Sequence, residues 1–201
     1  WFCNHRFSQH GKLMKGVKAL FAALLMVGVT SPVGATPTYE DRGTVDEHIE
    51  LLQTINNLGV NVFINDPVKC TEHKDVAGYW HGARQTFVLC QERIRRSSNP
   101  VWTGEVILAS DDDLDTIRHE AHHIVQDCMD GRIDGGLQSY FSDDDLITFL
   151  EGYPDWKENK IAETYRKDGA SAYVIKHEIE AWAVADMVPA SSISNVIQQV
   201  C

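Results

Sequence analysis

Two histidines four residues apart, His119 and His123, lie within a stretch whose apolar residues recur every three or four positions: Leu114, Ile117, Ala121, Ile124 or Val125, and Cys128. That period predicts a helix, with the acidic run Ser110-Asp111-Asp112-Asp113 at its start and Gly131 at its end. On one helix the two imidazoles project from the same face, one turn apart, and can converge on a single ion. Glu120 between them is placed to touch a metal-bound water without being a ligand. This is the H-E-x-x-H pattern, in which zinc acidifies its water and the glutamate takes the proton. The apolar stripe runs along other positions, so the histidines are not needed to fill a core. His122 falls on a different part of the helix and reads as a neighbour or surface group.

Zinc that keeps an open coordination position needs a third protein ligand. The segment Lys176-His177-Glu178-Ile179-Glu180-Ala181-Trp182-Ala183-Val184-Ala185-Asp186 is the best source, because it reads as a helix with carboxylates at its start and small residues beyond. Small side chains let two helices approach closely. Glu178 and Glu180 point about 200° apart on such a helix, so only one is expected to face the ion, the other being a solvated charge. His177 and Tyr173 are secondary candidates for stabilising an oxyanion. Asp127 is either a partner of a ligand histidine or a helix-end charge.

Residues 14–35 have the three parts of an export signal: the basic start Met14-Lys15-Gly16-Val17-Lys18, the apolar run Ala19 to Val29 and the small-residue site Val33-Gly34-Ala35. The apolar run is too short to span a bilayer, which takes about 20 residues, so no stable membrane anchor is expected after cleavage. Residues 1–13 precede the plausible initiator Met14 and read as an upstream or misassigned segment. Residues 36–201 are expected to form one domain, secreted or periplasmic. Loss of the four basic residues Arg6, Lys12, Lys15 and Lys18 makes the formal charge of −11 more negative still. A chain so acidic, without a basic patch, is not expected to bind nucleic acid.

Four cysteines remain in that domain, Cys70, Cys90, Cys128 and Cys201, and an even number in an exported chain suggests two disulfides. Cys70 with Cys90, and Cys128 with Cys201, is the favoured pairing. The first would close a hairpin, and the second would tie the metal helix to the C-terminus. A four-thiolate zinc site is disfavoured, since no C-x-x-C pair occurs.

Thr44 to Asn57 carries helical spacing, and Val60 to Asn65 alternates as a strand ended by Asp66-Pro67. Val76 to His81 and Gln85 to Glu92 read as antiparallel strands, Arg93 to Gly104 as a polar loop and Glu105 to Ala109 as another strand. After the metal helix, residues 143–150, 155–167, 170–186 and 191–200 are helical candidates. The expected class is α+β, a small mainly antiparallel sheet followed by a helical half.

With these residues in view, the chain resembles the zincin metallopeptidases, specifically the gluzincin type, whose third ligand is a glutamate on a second helix. Glu180-Ala181-Trp182-Ala183-Val184-Ala185-Asp186-Met187-Val188-Pro189 is similar to the E-A-x-x-F-A-x-x-L-x-P stretch of the ImmA/IrrE-like peptidases. The resemblance implies zinc held by His119, His123 and Glu180, with Glu120 as general base, and hydrolysis of a peptide or protein substrate. A strand before the metal helix, Gln85 to Glu92 or Glu105 to Ala109, would pair with that substrate. Two alternatives are an exported module with non-catalytic zinc and a disulfide-stapled module without metal. The oligomeric state has no signature in the sequence.

Overall fold

The computed structural model describes residues 42–72, 76–91 and 109–201. The expected export signal, the expected loop Arg93 to Gly104 and most of the segment Glu105 to Ala109 lie outside these residues. Among them, seven α-helices and three strands follow one another as α1 (Val45–Asn57), β1 (Asn61–Ile64), α2 (Pro67–Glu72), β2 (Gly78–His81), β3 (Thr86–Leu89), α3 (Asp111–Cys128), α4 (Asp143–Leu150), α5 (Asp155–Lys167), α6 (Ala172–Met187) and α7 (Ala190–Val200). The class is α+β, as the change of period along the chain implies.

The three strands form one sheet in the order β1-β3-β2. β2 and β3 are an antiparallel hairpin, and β1 adds to the other side of β3 in parallel. β3 is therefore hydrogen-bonded on both sides, which removes Gln85 to Glu92 as a strand that could pair with a substrate. Its other proposed counterpart, Glu105 to Ala109, falls almost wholly outside the described residues.

Asp66-Pro67 does more than stop β1. The Asp66 carboxylate accepts from the amides of Val68 and Lys69, and Pro67 occupies the first position of α2. A proline lacks the amide that a first-turn position would leave unbonded, and an aspartate before it caps the helix. Six residues are too few to show a helical period, so α2 is absent from the pattern of apolar spacing.

α3 runs through the centre of the molecule. Ser110 caps it through a reciprocal box with Asp113, and the helix packs against α1, α6, α7 and the hairpin. Leu114, Ile117, Ala121, Ile124 and Val125 join Leu51 and Ile55 of α1, Trp80 and Phe87 of the sheet, and Ile193 and Ile197 of α7 in one core. Two disulfides, Cys70–Cys90 and Cys128–Cys201, have the favoured pairing. They indicate a non-cytoplasmic, oxidising environment. Among the described residues no helix is long and apolar enough to cross a membrane.

Candidate metal centre

Because α3 is enclosed on several sides, polar residues on it are buried along with apolar ones: His119, Glu120, His122, His123, Gln126 and Asp127 are each at most 8% exposed. Buried polar groups need partners, and the partners sort these residues into three sets.

The first set is the candidate metal constellation. His119 Nε2 and His123 Nε2 lie 3.1 Å apart, and Glu178 Oε2 of α6 is 3.3 Å from the first and 3.5 Å from the second. Two donors bound at about 2.0–2.1 Å to a tetrahedral ion are separated by roughly 3.3–3.4 Å, so these three atoms are spaced like ligands of one zinc. Glu178 Oε2 is buried and makes no hydrogen bond among the described residues. An orphaned carboxylate oxygen facing two imidazole nitrogens fits a cation better than it fits an ordinary packed core. Glu120 belongs to the same group, with His119, Glu120 and His123 each offering an atom within 4.8 Å of the others.

Glu180, the ligand expected from the resemblance, lies elsewhere. Its Oε1 accepts from His122 Nε2 at 2.8 Å, from Gln126 Nε2 at 3.0 Å and from the Tyr140 amide at 3.0 Å. The expectation failed because it let only one glutamate of α6 face α3. Both do: Glu178 reaches the His119/His123 row, and Glu180 reaches the adjacent His122/Gln126 row. Neither is a solvated charge, and His122 is not a surface group.

Asp127 forms the third set. It accepts from Trp80 Nε1 at 3.0 Å and from the amides of Asp134 and Gly135 at 3.1 and 2.7 Å, so it neither partners a ligand histidine nor reaches solvent. This knot fixes the hairpin and the loop after α3. Gly82 is required at its edge, since a Cβ there would come within 2.3 Å of Asp127 Oδ2 and of the Gly135 backbone.

Glu120 is oriented by the hairpin: the Trp80 amide donates to its Oε2 at 2.7 Å, while Oε1 lies 3.9 Å from His119 Nε2. Burial raises the Glu120 pKa, an effect that the neighbouring His119 and His123 oppose without cancelling. On His123 burial disfavours the charge, but the Glu178 carboxylate, together with Glu120 and Gln126, outweighs it and raises the pKa to about 9. Glu178 is held well below the usual carboxylate range: burial works against its ionisation, and His123 and His119 overcome that.

Two neighbours of the centre are absent from the sequence-based expectations. Tyr165 on α5 lies beside Glu178, and burial and then the Glu178 charge push its pKa well up. The Trp182 ring lies 4.2 Å from that of His119. Its position one turn after Glu178 on α6 could have suggested this, whereas nothing local to α5 points at Tyr165. His177 donates through Nδ1 to the Tyr173 carbonyl, and its buried Nε2 has no hydrogen-bond partner among the described residues. The Tyr173 hydroxyl binds the Leu137 carbonyl and so secures the loop after α3. An apolar cleft lined by Leu146, Ile147, Leu150, Ile175 and Ile179 lies between α4 and α6 and contains none of the metal-centre residues.

Residues 41–201 match a family model described as a domain of unknown function, DUF8637. No curated protein and no solved structure matches the chain.

Proposed function

We propose that this chain, which belongs to the DUF8637 family, is an exported zinc-dependent hydrolase whose metal is held by His119, His123 and Glu178. The observation that carries the reading is the triangle of 3.1, 3.3 and 3.5 Å between two imidazole nitrogens and one otherwise unbonded carboxylate oxygen. A zinc ion held there supplies a Lewis acid and a water whose pKa is brought to about 7.

The chain's own groups do the rest. Glu120, held through Oε2 by the Trp80 amide, directs Oε1 toward the histidines, where it takes a proton from water and later delivers it to a leaving group. Burial raises its pKa, which makes it a stronger base for that proton than an exposed carboxylate. Tyr165, kept neutral by burial and by the Glu178 charge, places a phenol beside the centre. The resemblance to zincin metallopeptidases makes a peptide bond the favoured substrate. The two disulfides and the signal-like segment before residue 36 agree with a secreted or periplasmic location.

A second reading, a structural zinc site, draws on the burial of the centre: His119, His123 and Glu178 are at most 4% exposed. A closed site has no use for Glu120, which favours the hydrolase. Zinc analysis of the chain from Thr36, followed by peptide-library cleavage with and without Glu120→Gln, separates the two. Zinc in both proteins with cleavage only by the parent supports the hydrolase. Zinc in both with equal cleavage, or with none, rejects it.

A further inference from the structure

Gln126 lies one turn beyond His122 and less than one turn beyond His123, wholly buried, and each of its side-chain atoms is committed. Its Nε2 donates to the His177 carbonyl at 3.1 Å and to Glu180 Oε1 at 3.0 Å. A carbonyl and a carboxylate can only accept, so both amide hydrogens must point at α6 and the amide cannot be turned over. Its Oε1 is thereby aimed at His123 Nδ1, 2.7 Å away. An amide oxygen can only accept in its turn, so Nδ1 carries a hydrogen and Nε2 is the nitrogen left facing Glu178 and His119, free to bind an ion once its own proton is displaced.

We propose that Gln126 is the positioning residue of the metal centre: anchored by Glu180, it fixes His123 in the ring orientation and tautomer that turn Nε2 toward the ion. The proposal rests on the zinc reading above and deepens it. It also gives Glu180 a role outside the ligand set. The Glu180 charge polarises the Gln126 amide, which strengthens the bond that its oxygen accepts from His123 and makes the imidazole a better donor to metal. Three fixed donors, from His122, Gln126 and Tyr140, hold that carboxylate still, so the chain Glu180 to Gln126 to His123 is rigid from end to end.

The test is zinc affinity by competition with a chromophoric chelator, for the chain from Thr36 and for Gln126→Leu, Gln126→Glu and the exchange Gln126→Glu/Glu180→Gln. Loss of such an outer partner weakens metal binding about 10- to 100-fold, and that is the loss expected for Gln126→Leu. Gln126→Glu sets two carboxylates against each other and should be as weak. The exchange restores an acceptor for His123 and a donor between the two side chains, so its affinity should return toward that of the parent. Nitrogen-15 spectra of the zinc-loaded parent should show His123 with a proton on Nδ1 and metal on Nε2.

Parent-like affinity in folded Gln126→Leu, or His123 bound through Nδ1, overturns the proposal while leaving the zinc site standing. If Gln126→Leu does not fold, the exchange decides: a folded exchange variant no tighter than Gln126→Glu also overturns it. A parent chain that binds no zinc removes the metal centre itself, and this role with it.

Discussion

The backbone amide of Trp80 donates to the carboxylate of Glu120 at 2.7 Å, so the β2–β3 hairpin holds the candidate base in place. Gly78 allows the approach, since a Cβ there would come within 2.7 Å of Thr116 Cγ2 and of the Val88 carbonyl. Glu120→Gln keeps an oxygen for the Trp80 amide and so should keep the fold. It loses the group that accepts a proton, and hydrolysis should fall about 10²- to 10⁴-fold with zinc content unchanged. Initial rates beside metal analysis check this, and equal rates remove Glu120 as the base.

Glu178 and Glu180 should fail in different ways. Glu178→Ala removes a ligand, so zinc affinity should drop at least 100-fold, on the order of 3 kcal/mol or more. Glu180→Ala leaves the His122, Gln126 and Tyr140 donors buried without an acceptor, and should lower folding stability by about 3–5 kcal/mol. Denaturant unfolding and zinc competition on both variants check the contrast. A larger loss of zinc in Glu180→Ala than in Glu178→Ala would return the ligand role to Glu180.

Zinc must displace the proton that Glu178 favours on His123, whose pKa is raised to about 9. Below that pH the imidazole is occupied in the metal-free protein, so apparent zinc affinity should rise about tenfold per pH unit up to roughly pH 9. Titration calorimetry at pH 7.5, in buffers of different ionisation enthalpy, should register proton release on binding. Zinc uptake without proton release contradicts the assignment.

Acid should act at a separate place. His48 donates from Nδ1 to the Thr44 carbonyl and accepts from Arg118 at Nε2, an arrangement open only to the neutral ring. Burial, and then the Arg118 charge, lower its pKa to about 4. Unfolded chains take up this proton near pH 6.5, the folded one only near 4. The stability contribution is thus complete above about pH 6.5 and lost as pH falls toward 4, on the order of 2–3 kcal/mol. His48→Asn keeps an acceptor for Arg118 but does not titrate. Its urea midpoint should therefore fall less than the parent's between pH 6.5 and 4, and parallel curves would exclude His48 as the cause.

Local chemistry determined much of this protein within the sequence itself. The period of Leu114, Ile117 and Ala121 set α3, and a spacing of four put His119 and His123 on one face of it, because helix geometry repeats regardless of surroundings. The four cysteines offered few enough pairings for position along the chain to favour the one that forms. α2 escaped because a six-residue helix shows its cap and proline but no period. Only the tertiary structure decided which glutamate faces the histidines, since that depends on how α6 lies across α3, and two carboxylates on different sides of one helix can both reach a neighbour. It alone brought Tyr165 to Glu178, Trp80 to Glu120 and Gln126 between Glu180 and His123. Such contacts join residues up to 54 positions apart, and their energy comes from satisfying buried polar groups, which no local pattern records.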